Sequence, residues 1–205
     1  MTTPPELFEE IKLYLPKYLS PTAEENLFEA LREYPENIDS SKLYSNMDKE
    51  IIYQGDGLKN LLFIKLPEES IRMVNSMIVT NTCDNNMSNP RLFKTCVCYT
   101  PIISLKKYIS VLNTEIKDLK RIAQHVSNLK KQKITQIFFL PEGGNIKEDS
   151  FVFLDRIVSC DVNYIYEKKI QENRLFSLSN YGLYLFILKL SIHFTRIREG
   201  QERNS

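Results

Sequence analysis

Apolar and polar positions recur with two different periods along the chain, and each stretch predicts one kind of element. In residues 1–53 the apolar side chains recur every three or four positions, the spacing of one face of an α-helix. Pro16 and Pro35 interrupt that spacing, and residues 20–25 hold two alternative capping signals for a second helix. The first 53 residues are therefore predicted to form a helical extension.

Beyond a turn signal at residues 54–57 the pattern changes to short apolar runs that are typical of strands. Between residues 105 and 132 the period of three to four returns, which predicts one long amphipathic helix. A last helix is predicted to begin after Leu178 and Ser179. The strand-like runs are residues 58–66, 76–81, 94–103, 135–140 and 151–158.

The order of these elements predicts an α+β fold with a small antiparallel sheet or barrel, because the strands cluster rather than alternating with helices. The predicted organisation is a helical extension at residues 1–53, followed by a strand-rich domain at residues 54–195. The helix at residues 105–132 is an insertion in that domain. Residues 196–205 are charged and are predicted to form a frayed tail.

Composition changes this picture mainly through the distribution of charge. The chain has 205 residues, 27 Lys+Arg and 26 Asp+Glu, which suits one domain with an appendage and excludes collagen-like, disulfide-scaffold and wholly disordered chains. Residues 1–60 hold 12 acidic and 6 basic side chains, whereas residues 61–205 hold 14 and 21. The two parts could attract each other, or the basic part could face RNA; ordinary solvated surface explains the same counts.

Location and redox state follow from what the sequence lacks. Residues 1–6 lack the basic and apolar pattern of a secretory signal, so none is expected, and the longest late apolar run, residues 181–188, is far below the ~20 residues that span a bilayer. A soluble cytoplasmic protein without a membrane partner is predicted. The four cysteines lack zinc-ligand spacing and are predicted to be buried and reduced: Cys83, Cys96, Cys98 and Cys160.

No motif in the sequence identifies a reaction. His125 and His193 lie in separate predicted helices, and Gly143 with Gly144 lacks the Lys and Ser/Thr that complete a phosphate loop. We therefore expect neither a metal nor a cofactor.

Two groups of polar residues are candidate binding sites. The densest group, Thr80, Thr82 and Asp84, follows a buried strand and lies near Arg91; the alternative is a capped turn whose side chains satisfy the backbone. The second group is the basic face of the predicted long helix, which is either solvated surface or a contact for nucleic acid. Its members are Lys117, Lys120, Arg121, Lys130, Lys131 and Lys133.

Several short motifs resemble the PemK/MazF growth-inhibitor toxins. Residues 54–56 (Gln-Gly-Asp), an apolar strand ending at residues 79–81 (Val-Thr-Asn) and residues 99–104 (Tyr-Thr-Pro-Ile-Ile-Ser) are similar to strands of that family. Residues 150–159 and the final helix are similar to its C-terminal part. The resemblance implies a small SH3-like β-barrel, to which the N-terminal extension and the long helix are additions.

The resemblance also implies metal-independent cleavage of single-stranded RNA. The family uses an Arg and a Thr or Ser at positions that fall here on Val74 and Ile103, which can neither activate a hydroxyl nor stabilise a phosphorane. Arg72 and Ser104 are the nearby residues that could replace them.

Three functions are therefore open. The first is a non-catalytic binding module on a toxin-like barrel, which docks a partner protein or a second copy in a bacterial toxin–antitoxin or phage-defence assembly. The second is an endoribonuclease that uses Arg72 and Ser104 as catalytic residues, with Arg91 as a further candidate. The third is nucleic-acid binding, without cleavage, through the basic helix.

Overall fold

A computed structural model describes residues 40–47, 50–89 and 91–195. The helices predicted before residue 40 and the charged tail at residues 196–205 lie outside the described residues. Within these ranges the strands are β1 Tyr44–Ser45, β2 Gly57–Lys65, β3 Ser70–Ile78, β4 Cys96–Ser104, β5 Ile137–Leu140, β6 Ser150–Phe153, β7 Val158–Asp161 and β8 Arg174–Leu178. The helices are α1 Thr82–Asn85, α2 Leu105–Glu115, α3 Leu119–Lys130, α4 Val162–Tyr166, α5 Ile170–Asn173 and α6 Asn180–Thr195.

The strands form one antiparallel sheet in the order β1-β8-β2-β3-β4-β6-β5, with β7 also paired to β4. The predicted α+β class and antiparallel sheet are confirmed. Among the described residues the pairing runs as an open path from β1 to β5, and no pairing closes it. The barrel therefore stays a prediction.

The predicted strand at residues 151–158 is interrupted, because its middle leaves the ladder. β6 and β7 follow each other along β4, with Phe151 opposite Ile103 and Val158 opposite Tyr99. Leu154 instead donates its backbone N–H to the Gln136 carbonyl and buries its side chain in the main core. The turn that results, residues 154–157, places charged side chains between the two strands.

The single long helix predicted for residues 105–132 is wrong, since the chain folds back after Glu115. Asp118 caps α3 by accepting the Arg121 N–H at 3.0 Å. The Tyr108 hydroxyl of α2 lies 3.0 Å from His125 Nε2 of α3, so the two helices form an antiparallel hairpin. This turn lets both apolar faces pack on β5 and β6, where one straight helix would have left half of its stripe uncovered.

The core has three parts that hold the sheet and the helices together. The largest lies between the sheet and α6, where the rings of Phe138 and Phe186 meet edge to face at 5.2 Å. The second lies inside the curve of β2, β3 and β4 under α4, around Tyr99. The third joins the α2–α3 hairpin to β5 and β6 through Leu129 and Phe151.

The predicted burial of the cysteines is wrong. All four are free, Cys83 and Cys96 are exposed, and Cys98 and Cys160 are half-buried. Cys96 and Cys98 flank Val97 on β4, and because neighbouring side chains on a strand point to opposite faces, Val97 occupies the core. None of the helices in the described ranges has the length and apolar character needed to cross a bilayer.

Candidate functional site: a basic cleft beside the β2–β3 arm

A cleft of about 1390 Å³ opens on the side of the sheet where the β2–β3 hairpin extends beyond its neighbours. The hairpin forms one wall, and the end of β4 from Pro101 to Ser104 lines the floor. The loop between β5 and β6, at residues 145–148, and the turn at residues 155–157 also line it, together with Lys107 of α2 and Leu175 of β8. Segments far apart in sequence therefore meet at this one concave surface.

The lining of the cleft has an excess of positive charge, although one of its cations, Lys65, is paired with Glu68 at 2.5 Å. Its lining includes six basic side chains and two acidic ones, Glu148 and Asp155. Low-dielectric walls of one sign of charge concentrate the field in a cleft and attract polyanions. The basic residues are Lys59, Lys65, Arg72, Lys107, Lys147 and Arg156.

Arg72 and Ser104, which the resemblance suggested as possible replacements for the family's catalytic residues, both line this cleft. Arg72 is exposed on β3 opposite Phe63. Ser104 ends β4 and caps α2, with its hydroxyl accepting the Lys107 N–H at 3.3 Å. Ser104 lines the cleft together with the three residues before it on β4, Pro101, Ile102 and Ile103.

Arg156 is held at the cleft by an aromatic ring. Its guanidinium carbon lies 3.8 Å from the centroid of Phe153, a cation–π contact. Phe153 in turn contacts the rings of Phe151 and Tyr108 edge to face, at 5.2 and 6.4 Å. Burial raises the pKa of Tyr108, and the positive charge of Arg156 opposes that rise. The guanidinium is thus oriented by packing while its N–H groups remain available to a ligand.

The β2–β3 hairpin, which forms one wall of the cleft, is anchored near its base by hydrogen bonds and has exposed side chains towards its end. The backbone of Leu62 is bonded by two tyrosine hydroxyls: Tyr99 donates to its carbonyl, and Tyr164 accepts its N–H at 3.1 Å. Further out, Ile64 and Ile71 face each other across the hairpin and are 42% and 62% exposed. The outer part of the β2–β3 hairpin is therefore only partly covered by the rest of the described structure.

The polar group at residues 80–84 forms a capped turn outside this cleft. Thr80 Oγ1 accepts the Cys98 N–H, and Thr82 Oγ1 accepts the Gln54 N–H at 3.0 Å. Asp84 pairs with Arg91 at 2.6 Å on the surface. Four candidate binding residues are thus brought together, but their polar atoms bond to the protein itself.

The six basic residues predicted on the long helix lie on the α2–α3 hairpin and its flanks. All six are exposed, and none lines the cleft. Lys130 pairs with Asp149 at 2.6 Å, which holds the end of α3 against the strand pair β5–β6. The hairpin turn separates Lys117 from Lys130, so the basic face is shorter than one straight helix would have made it.

Sequence reasoning missed a buried ion pair that uses the Gly-Asp motif. Asp56, fully buried, lies 3.1 Å from Arg174 at the start of β8, and it accepts the Tyr53 N–H at 2.9 Å. Burial raises the pKa of Asp56 to about 6, although Arg174 lowers it. Arg174 also donates to the Ile51 carbonyl. The motif therefore joins β2 to β8, and an Arg far away in sequence gave no local signal of this pairing.

Within the described residues, no group of three or more His, Cys, Asp or Glu side chains is arranged to hold a metal ion. Comparison of the chain with protein-family models and with curated proteins found no match. The PemK/MazF resemblance therefore stays a prediction that rests on the short motifs.

Proposed function

We propose that the protein is a non-catalytic module that binds single-stranded RNA in the basic cleft. The observation that carries the proposal is the convergence of six Lys and Arg side chains, against two carboxylates, on one open surface. Phosphate contacts dominate the affinity of proteins for nucleic acids, and single strands bind in positive grooves that contain aromatic side chains. Phe63 supplies an aromatic ring in the wall of this cleft.

The size of the cleft favours a polymer over a small ligand. Small-molecule sites typically occupy ~300–1,000 Å³ and are mostly closed and apolar. This cleft is larger, about 1390 Å³, and its cations are spread along several segments. A chain of nucleotides can contact these separated cations at once, whereas one small anion cannot.

We further propose that the strongly curved part of the sheet is an SH3-like barrel. It would consist of five neighbouring strands, β8, β2, β3, β4 and β7. The hydroxyls of Tyr99 and Tyr164 reach the backbone of Leu62 from across the second core, which supports a strongly curved sheet. The choice of RNA as the ligand class rests on the resemblance. The positive charge of the cleft supports it, because RNA is a polyanion.

We favour binding without cleavage over an endoribonuclease because the two positions that correspond to the family's catalytic residues hold apolar side chains here. Val74 and Ile103 both line the cleft and have no group that transfers a proton. Arg72 is in place to bind phosphate, and the Ser104 hydroxyl is engaged in capping α2. A role in a toxin–antitoxin or phage-defence assembly is retained as the setting in which such a module would act.

Fluorescence anisotropy with labelled 12-nucleotide RNA tests the proposal. For wild type, the logarithm of the affinity should fall linearly with the logarithm of salt, with a slope of about −0.7 per phosphate contacted. The double variant Arg72→Ala/Arg156→Ala should bind at least about tenfold more weakly and reduce that slope. Lys94→Ala, which removes one exposed charge outside the cleft, is the control and should bind as wild type does.

The other candidate functions are separate outcomes of the same assay. Loss of binding in Lys120→Ala/Arg121→Ala, with Arg72→Ala/Arg156→Ala unaffected, would transfer the site to the basic helix and overturn the proposal. Equal affinity for duplex RNA would contradict recognition of single strands. Shortening of the RNA by wild type, abolished by Arg72→Ala, would replace the binding module with the endoribonuclease.

A further inference from the structure

A second concave surface, on the α2–α3 hairpin, is apolar and lies outside the basic cleft. It encloses about 590 Å³ between Ile109 of α2 and the face of α3 that carries Leu119, Ile122 and Val126. Leu119, Ile122 and Val126 line it at the spacing of one helix face. Leu119 is 71% exposed, so the apolar side chain that begins this groove has no cover in the described structure.

The rim of the groove is basic. Lys130 and Lys131 line its far end, where Lys130 is paired with Asp149 at 2.6 Å. Residues 119–131 carry four Lys and Arg side chains and no acidic one. An apolar floor with a cationic rim fits an amphipathic helix whose polar face is acidic, the arrangement by which grooves recognise helices.

The chain itself contains a segment with these properties. Residues 22–34 hold four glutamates and one arginine, and Leu27, Phe28, Leu31 and Tyr34 recur at helical spacing. Thirteen residues of helix measure about 20 Å, and the 12 residues of α3 measure about 18 Å. The segment ends before Pro35, five residues ahead of the first described residue, Ser40.

We propose that residues 22–34 dock as an amphipathic helix into the apolar groove of the α2–α3 hairpin of the same chain. Leu27, Phe28 and Leu31 would cover Leu119 and Val126, and the glutamates would face the rim cations. The acidic residues of the first 60 positions and the basic residues that follow would then attract each other within one molecule. Burying the apolar stripe would supply the driving force, and the charge pairs would set its orientation.

Hydrogen exchange of the full-length protein, followed by mass spectrometry, tests the proposal. The amides of α3 should exchange at least about tenfold faster in Leu27→Ser/Leu31→Ser than in wild type, because docking protects them. A peptide of residues 20–36, added to that variant, should restore the protection. Unchanged exchange of α3 in Leu27→Ser/Leu31→Ser would overturn the proposal.

The reciprocal measurement uses a matched pair of surface variants. Leu119→Asp should speed exchange of residues 22–34, because it places a charge on the groove floor. Val111→Asp, at a 50% exposed position of α2 that does not line the groove, should leave that exchange unchanged. Equal effects of the two variants would contradict docking in the groove.

Other occupants of the groove give different results. Protection that grows with protein concentration, together with a dimer in light scattering, would assign the groove to a second copy and overturn docking within one chain. A groove that exchanges freely in wild type, and becomes protected only with an added protein, would assign it to a partner. Neither outcome depends on RNA, so this test and the RNA-binding test can fail independently.

Discussion

The side-chain amide of Gln132 pairs with both backbone groups of Phe139. Its Oε1 accepts the Phe139 N–H at 3.0 Å, and its Nε2 donates to the Phe139 carbonyl at 2.8 Å. β5 is the last strand of the sheet, so this amide continues the ladder where a further strand would pair. Lys189 donates to the carbonyl and Oε1 of Gln132 and to the Ile134 carbonyl, and burial holds the pKa of Lys189 well below its usual range. The amide thereby closes an edge that could otherwise pair with another chain.

Replacing Gln132 with Leu should destabilise the protein. The variant leaves the buried backbone groups of Phe139 and one donor bond of Lys189 without partners, and we expect a loss of about 2–4 kcal/mol in the free energy of unfolding. Urea denaturation measures the change. Gln124→Leu, at an exposed position of α3, is the control and should stay within about 0.5 kcal/mol. Equal stability of the two variants would show that the edge amide is dispensable.

Replacing Gly182 with Ala should also destabilise, against the trend of helix propensity. Alanine usually favours a helix over glycine by about 1 kcal/mol. At this position of α6, however, a Cβ would lie 2.3 Å from the carbonyl oxygen of Leu43. Because that neighbour is backbone, we expect a net loss of about 1–3 kcal/mol and a lower Tm. A Tm at or above that of wild type would refute the close approach.

Replacing Asp56 with Asn should change how stability depends on pH. Burial raises the pKa of this carboxyl to about 6 from 3.8, so the folded state holds a proton that the unfolded chain has released between those values. The contribution of Asp56 to stability is therefore present below about pH 4 and is lost as the pH rises through 6. The unfolding free energy of wild type minus that of Asp56→Asn should fall by about 2–3 kcal/mol from about pH 4 to about pH 7.

Urea denaturation of both proteins across this range gives the difference directly. Other titrating groups, including the remaining carboxyls, largely cancel in the subtraction. A difference that is independent of pH would mean that Asp56 titrates as it does in the unfolded chain. A difference that rises with pH would mean that Arg174 outweighs burial.

Replacing Phe153 with Leu should weaken RNA binding although the ring itself does not line the cleft. The substitution removes the cation–π contact that orients Arg156, worth about 0.5–1 kcal/mol, so the affinity should fall about two- to fivefold. The salt slope should stay unchanged, because no charge is lost. Phe194→Leu, at an exposed position of α6, is the control and should bind as wild type does. A wild-type affinity in Phe153→Leu would contradict the orienting role.

Local patterns predicted much of what the described structure contains. The α+β class, the final helix and most of the strand positions followed from periodicity, because side-chain burial repeats along an element. The turn at residues 154–157 and the break at residues 116–118 did not follow. Leu154 and Ile116 both continue an apolar pattern, and only the bond of Leu154 to Gln136 and the cap at Asp118 end the elements there. The outer part of β3, with Ile71 and Met73 exposed, also gave no burial signal.

The features of the candidate sites likewise fall into two groups: those that could be predicted from the sequence and those that could not. Residue types and their spacing alone showed which side chains carry charge and revealed an acidic amphipathic segment at residues 22–34, within the acidic first 60 residues; the family resemblance led to Arg72 and Ser104. The meeting of Arg72, Ser104, Lys147 and Arg156 in one cleft, and the pairing of Asp56 with Arg174, became visible only in the folded chain. Charge and periodicity can be read from residues that are neighbours in sequence. A cleft and a buried pair instead require strands far apart in sequence to come together.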